Sequence, residues 1–241
     1  MRPRGSRESV SFEAALPPMV DIAVALAMIA LLYAFAESLA LGKIDVYVER
    51  DRRKAQLADE VRREFADRFS RDEIEIAGEE NVQRFIFKAG VLFRQAKAGT
   101  GDLVPGALPM LREFGRLLAR QQGLYTDVIV EGHTDERPIR TPEFPSNWEL
   151  SAARAVTVVH IFTDPAHGVR LEPAKVYAAG YGEYRPLASE RGSDHPEWSE
   201  GRKESEIYSR DRRIEVAVYY SMSAIRQTME SGAAAGASAG P

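Results

Sequence analysis

The chain has 241 residues, 44% hydrophobic and 28% charged, enough for one domain of ordinary size with about 100 residues for other duties. Its 36 acidic and 32 basic residues give a formal net charge of -4, which excludes the globally basic surface of a non-specific nucleic-acid binder, so no nucleic-acid partner is expected. It has no cysteine, which excludes thiolate metal sites and disulfide staples.

Between residues 14 and 36 the only charged side chain is Asp21, and the apolar stretch runs on to Leu41. At about 1.5 Å per residue it is long enough to cross about 30 Å of hydrocarbon. From Ile22 to Ala36 there is no polar helical face, so a membrane-spanning helix is expected over 17–41, after a tail over 1–16. Pro17 and Pro18 suit the first helical turn, where a missing N–H costs nothing, and they put Asp21 about one turn inside. A carboxylate within the membrane costs at least about 2.5 kcal/mol on insertion scales, so such a group usually faces a partner or an aqueous path. Asp21 is therefore the candidate for ion translocation. Two plainer readings stand beside it. Asp21 could cap the helix at headgroup level, or the stretch could be a cleaved signal peptide with Arg2, Arg4 and Arg7 as its basic start and Ala34-Phe35-Ala36 as its cleavage-like site. Lys43, Arg50, Arg52, Arg53 and Lys54 follow the span closely, and charge counting alone puts the N-terminus outside.

Residues 42–80 read as a linker, partly an amphipathic helix, because Leu57, Val61, Phe65 and Phe69 recur about every four residues among dense charges. That stripe can pack on its own domain or pair two copies. A folded domain is expected over 81–221. Val82 to Lys88 is strand-like, and a Gly-rich connection leads to a helix over about 106–121 with Leu108, Leu111, Phe114 and Leu118 inward. A buried strand over 125–131 ends in Gly-His-Thr-Asp. A helix then starts near Asn147, with Trp148, Ala152, Ala155 and Val159 at helical spacing. Strands over 175–179 and 212–219 follow, separated by a long charged loop, which gives the order βαβαββ. Residues 222–241, poor in large apolar side chains, read as a flexible tail.

Four motifs carry a specific resemblance. Gly132-His-Thr-Asp135, Ser146-Asn-Trp-Glu-Leu-Ser-Ala-Ala-Arg-Ala155, Gly180-Tyr-Gly-Glu183 and Arg210-Asp-Arg-Arg-Ile-Glu215 resemble, in that order, the OmpA C-terminal family. The Ser-Asn-Trp-Glu-Leu-Ser form and the downstream Pro138-Ile139 are most similar to its MotB-like stator proteins, and Asp21 in a single span fits them too. Two departures stand out. Asp211 replaces the usual Asn of the terminal motif, and Met19-Val20-Asp21 before an Ala-rich run, with a short linker, leans toward the ZorB paralogues of Zorya anti-phage defence over flagellar MotB.

The resemblance implies an α+β fold, with one transmembrane helix, a helical linker and an OmpA-like domain. It implies a protein of the bacterial inner membrane with its N-terminus cytoplasmic and its domain periplasmic, opposite to the orientation that charge counting gives. It also implies peptidoglycan binding, in which Asp135 receives the ammonium of a stem-peptide amino acid and Arg154 its carboxylate through a planar fork, with Asn147 and Arg212 in support. Read without the family, Asp135 and Arg154 would simply bridge a loop to a helix start. His133, Asp135 and Ser151 invite a hydrolytic triad, but no nucleophile elbow accompanies them, so no catalytic residue and no enzyme are expected, and no metal or cofactor. The implied partners are a second copy of this chain and a multi-span MotA- or ZorA-like subunit, about five copies around two of this chain. The translocated ion would be H+ rather than Na+, since sodium needs several oxygen ligands. The implied function is the ion-conducting, wall-anchored subunit of a rotary motor; the alternatives are a flagellar stator and a non-conducting OmpA- or Pal-like tether.

Overall fold

The computed structural model describes residues 16–66, 74–167, 169–187 and 208–238. The tail arginines, Phe69 and most of the 185–210 loop lie outside them. The chain divides after Val48 into two compact units.

In the first unit, helix α1 (Leu16–Phe65) begins just ahead of the Pro17-Pro18 pair, as the prolines' fixed φ favours. Its window Asp21–Ser38 is long and apolar enough to cross a membrane. Every side chain in that window, Asp21 included, is exposed on the isolated chain. This is the surface expected of a helix whose neighbours are lipid or other helices.

The second unit starts at Glu49, earlier than the expected boundary at 81. Its elements are the last turns of α1, strands β1 (Ile74–Glu79) and β2 (Val82–Lys88), helix α2 (Ala107–Arg120), strand β3 (Tyr125–His133), helix α3 (Asn147–Thr163), strands β4 (Val176–Gly180) and β5 (Arg213–Tyr220), and helix α4 (Met222–Ser238). The strands form one sheet in the order β1-β2-β5-β3-β4, with only β3 and β4 parallel. Register places Phe85, Val130 and Val216 on one face, and Phe114 of α2 closes that face edge-on, 5.0 Å from Phe85 and 5.2 Å from Phe87.

Four expectations are corrected. β1, within the stretch read as linker, adds a strand before the βαβαββ series; it is a short, charged edge strand whose outward residues hide its pairing. In keeping with the reading that it packs on its own domain, the stripe Leu57, Val61 and Phe65 is buried within this unit, where Lys54 O accepts from Gln83 Nε2 at 2.9 Å and Arg50 Nη1 donates to Asn81 Oδ1 at 2.8 Å. Residues 222–238 of the expected flexible tail form α4, started by Ser221, whose Oγ accepts the Ala224 N–H at 3.2 Å, and seated by buried Ile225. On α3 the buried stripe is Asn147, Leu150, Ser151, Arg154, Ala155 and Val158, whereas Trp148 is 47% exposed and Ala152 and Val159 are half-buried. Three polar residues occupy the inward face, so a search for apolar period selects the neighbouring one. On α2, similarly, Met110 is buried and Leu108 only partly.

Candidate functional site

Two glycines bring the site together. Gly132 of β3 and Gly180 of β4 stand opposite each other in register, and the backbone of α3 lies directly on both. A Cβ on Gly132 would fall 2.1 Å from Ser151 O, and one on Gly180 would fall 2.6 Å from Ala152 N. Only glycine permits this approach. Ser151 Oγ, donating to Trp148 O at 3.0 Å, accepts the Gly182 N–H at 3.0 Å, while Gly182 O accepts the Thr134 N–H at 2.9 Å. The end of β3, the turn after β4 and the start of α3 are thereby tied. Ser146 caps α3, its Oγ accepting the Trp148 N–H at 3.2 Å.

A cleft of about 570 Å³ opens beside this junction and is lined by all four residues expected to bind peptidoglycan: Asp135, Asn147, Arg154 and Arg212. Asp135 is 5% exposed. Its Oδ2 accepts from Arg212 Nη1 at 2.5 Å and from Arg137 Nη2 at 2.6 Å, and its Oδ1 accepts the Arg137 backbone N–H at 3.1 Å. Burial works against its charge, but the Arg137 and Arg212 hydrogen bonds prevail and hold the carboxyl below its usual range. Asn147 Nδ2 donates to Arg137 O at 3.1 Å and Asp135 O at 3.3 Å, which fixes the loop that carries the acid.

Arg154, 3% exposed, does not bridge to Asp135. Its Nε donates to Lys97 O at 2.8 Å and its Nη2 to Arg94 O at 3.3 Å, with Phe93 beneath, 5.5 Å from its Cζ to the ring centroid. Among the described residues no carboxylate lies within ion-pair distance of it. Burial, with a smaller contribution from the nearby Arg212 charge, lowers its pKa to about 10. A buried guanidinium held by neutral carbonyls beside an open cleft is arranged to accept an anion.

Sequence reasoning missed Arg137, which is tied to Asp135 by an Asx turn that an Asp followed two positions later by Arg could have signalled. It also missed Thr134, whose buried Oγ1 has no partner among the described residues in the cleft wall. Asp211, the departure from the motif, is not a cleft residue: it is buried, and its Oδ1 accepts the Leu187 N–H at 3.0 Å.

The triad candidates do not assemble. Ser151 Oγ is taken by Trp148 and Gly182, and His133 stacks on Tyr181, centroids 5.2 Å apart. Burial first, then the Arg213 charge, lower the His133 pKa to about 3. His133, Glu131 and Glu215 cluster at metal-ligand distances, but Arg84 bridges Glu131 at 2.8 Å and Glu215 at 3.3 Å, and Arg213 Nε donates to Glu215 at 2.6 Å. Two guanidiniums already balance two carboxylates, leaving no net charge to attract a cation.

Residues 97–197 match the OmpA family. The chain carries an OmpA-like domain. Motility protein B of Bacillus subtilis is 38% identical over 112 residues, covering 46% of this chain and 36% of that protein. The chain spans about half the length, or less, of the curated relatives it matches. Among solved structures, a MotB-like protein from Desulfovibrio vulgaris is 27% identical with a TM-score of 0.55, covering 72% of this chain and 99% of that one. The cell wall anchor of the T6SS from Pseudomonas aeruginosa is 25% identical with a TM-score of 0.50, covering 67% and 97%. The OmpA-like domain thus has MotB homologues and MotB-like structures, and with one N-terminal apolar helix among the described residues the chain is consistent with an inner-membrane protein.

Proposed function

We propose that this chain is the wall-anchored, ion-conducting subunit of a MotA/MotB-type rotary motor, of the ZorB kind. The observation that carries the anchoring half is the buried Arg154 guanidinium, lacking a carboxylate partner among the described residues, in the same cleft as Asp135. A peptidoglycan stem peptide supplies the missing anion, and its ammonium complements Asp135. The OmpA family match and the T6SS wall anchor support that reading.

The conducting half rests on Asp21, the one charged side chain in the apolar window up to Glu37. With the N-terminus in the cytoplasm, two copies pair inside a ring of MotA- or ZorA-like subunits, and each Asp21 takes up and releases a proton. Docking of the outer domain through Asp135, Arg154, Asn147 and Arg212 keeps the helices stationary while the ring turns. The Met19-Val20-Asp21 start and Ala-rich span favour the defence paralogue over a flagellar stator.

The deciding experiment compares wild type, Asp21→Asn and Arg154→Ala at matched membrane expression, in cells for phage protection or motility and in extracts for pelleting with peptidoglycan sacculi. The motor reading expects Asp21→Asn to pellet normally and lose activity. Activity surviving in Asp21→Asn refutes conduction and leaves a passive tether, and normal pelleting of Arg154→Ala refutes the assigned wall site.

A further inference from the structure

Two large aromatic side chains of the second unit stand in the open and lie on each other. Trp148 is 47% exposed and Tyr184 65%, and their rings stack with centroids 5.3 Å apart and planes 25° from parallel. Each ring keeps a face for solvent. Packing does not require this, since rings of this size are ordinarily driven into a core or an interface.

The mounting is rigid. Ser146 Oγ accepts the Trp148 N–H at 3.2 Å, and Ser151 Oγ donates to the Trp148 carbonyl at 3.0 Å. Tyr184 closes a turn, its N–H donating to Tyr181 O at 3.2 Å, and that turn passes through Gly182 at φ +54, a conformation that favours glycine. Gly182 joins the two halves: its N–H donates to the same Ser151 Oγ, and its carbonyl accepts from Thr134, a residue of the cleft wall. The rings are therefore fixed relative to the cleft.

Their extent suits a single sugar ring better than a protein. Among the described residues of this unit, the other large apolar side chains that are exposed are Val156, about two turns further along α3, and Tyr177, which register puts on the other face of the sheet. Two aromatic rings cover at most about 150–250 Å² each, against about 800 Å² per partner in a stable protein interface. A β-linked pyranose presents mainly C–H bonds on one face, and these meet the negative face of an aromatic ring without loss of a hydrogen bond. Distance fits as well. Asn147, the residue before Trp148, lines the cleft, so cleft and rings lie on neighbouring flanks of the first turn of α3, about one helix diameter or 10–12 Å apart. The first three residues of a stem peptide, which separate its diamino acid from the glycan, extend to about 10–11 Å.

We infer that Trp148 and Tyr184 form a sugar-binding platform beside the cleft, on which an N-acetylhexosamine of the glycan strand stacks while its stem peptide occupies the cleft. The inference rests on the peptidoglycan reading above and adds a second, separate contact, to the glycan.

The test is calorimetric titration of full-length protein in detergent with two soluble fragments. One is the tripeptide L-Ala-γ-D-Glu-meso-diaminopimelate, and the other is the same tripeptide on its disaccharide of N-acetylglucosamine and N-acetylmuramic acid. Wild type is expected to bind the disaccharide form about tenfold more tightly, the order of one ring stacked on an aromatic face. Trp148→Ala and Tyr184→Ala are expected to lose that difference while keeping the wild-type affinity for the bare tripeptide, which also shows that the cleft is folded. Trp148→Phe, which keeps a ring, should retain most of it. Equal binding of the two fragments by wild type, or a difference that survives in the alanine variants, overturns the inference and leaves the wall site intact. Loss of tripeptide binding in the alanine variants, or a change in their oligomeric state by sedimentation, assigns the rings to support of α3 or to a protein contact and overturns it as well. Absence of binding to either fragment by wild type overturns both readings.

Discussion

Arg154 Nε stands 2.8 Å from the backbone carbonyl oxygen of Lys97, a residue of the irregular segment between β2 and α2. That segment passes through Ala96 at φ +55, a left-handed conformation uncommon for alanine, and Ala96 itself lines the cleft. Arg154 therefore serves two purposes: it satisfies the carbonyls of Arg94 and Lys97, and it offers its remaining N–H groups to the cleft.

Arg154→Lys separates these purposes. An ammonium keeps the charge but lacks the planar fork that reaches two carbonyls and a ligand together. Sacculus pelleting is expected to fall at least about tenfold, with thermal unfolding shifted by only a few degrees. Arg154→Ala leaves the Lys97 carbonyl without its donor, while the Arg94 carbonyl keeps the Lys97 N–H at 3.2 Å, and is expected to cost about 1–3 kcal/mol as well, measurable by urea titration. Equal pelleting by Arg154→Lys and wild type would show that charge alone suffices.

Gly132→Ala places a methyl against the Ser151 carbonyl of α3, where room can be made only by parting α3 from the sheet. The expected loss is at least about 1–3 kcal/mol, accompanied by loss of wall binding because α3 carries Asn147 and Arg154. Alanine at Gly90, where an added Cβ would meet nothing within 4 Å, is the matched control and should unfold like wild type.

His133 makes the fold sensitive to acid above the carboxylate range. Its pKa falls from 6.5 to about 3 on folding, so the unfolded chain binds the extra proton and stability declines as pH drops from 6.5 toward 3. The slope approaches about 1.4 kcal/mol per pH unit at most, from this residue alone. Glu131, raised chiefly by burial, opposes it by binding a proton more readily in the folded state. The difference between wild type and His133→Gln isolates the histidine: wild type should lose relative stability between pH 6 and 5 in denaturant titrations. A difference independent of pH would show that His133 titrates in the fold as it does in the unfolded chain.

Leu57→Ala, at a fully buried position on the last turns of α1, is expected to cost about 2–5 kcal/mol. The same loss at all protein concentrations would place Leu57 in the core of its own domain, and a concentration-dependent loss would place it in a seam between copies.

Much of the site was legible because its chemistry sits in short motifs. Gly132-His-Thr-Asp135 and the start of α3 bring Asp135, Asn147 and Arg154 to one cleft, and Arg212 reaches it from just before β5. What escaped depended on side chains acting against their type. The face of α3 toward the sheet is partly polar, so apolar periodicity pointed to Trp148, which instead stacks on Tyr184 in the open, centroids 5.3 Å apart. Strand β1 is short and half charged, and α4 is made mainly of small residues whose helical preference outweighs their lack of apolar bulk once Ile225 is seated. Arg137 escaped because its role arises from a turn two residues long rather than from a motif.

The sheet order has a consequence for how the domain is made. β5, the last of the described strands, is the middle strand, with β2 on one side and β3 on the other. Until residues 213–220 have been synthesised, β1 with β2 and β3 with β4 are two separate ribbons, each exposing an unpaired edge. The domain therefore closes in a single late event, and a chain released early offers ribbons to proteases rather than a partial anchor. Competence to hold a ligand therefore waits for residues 213–220.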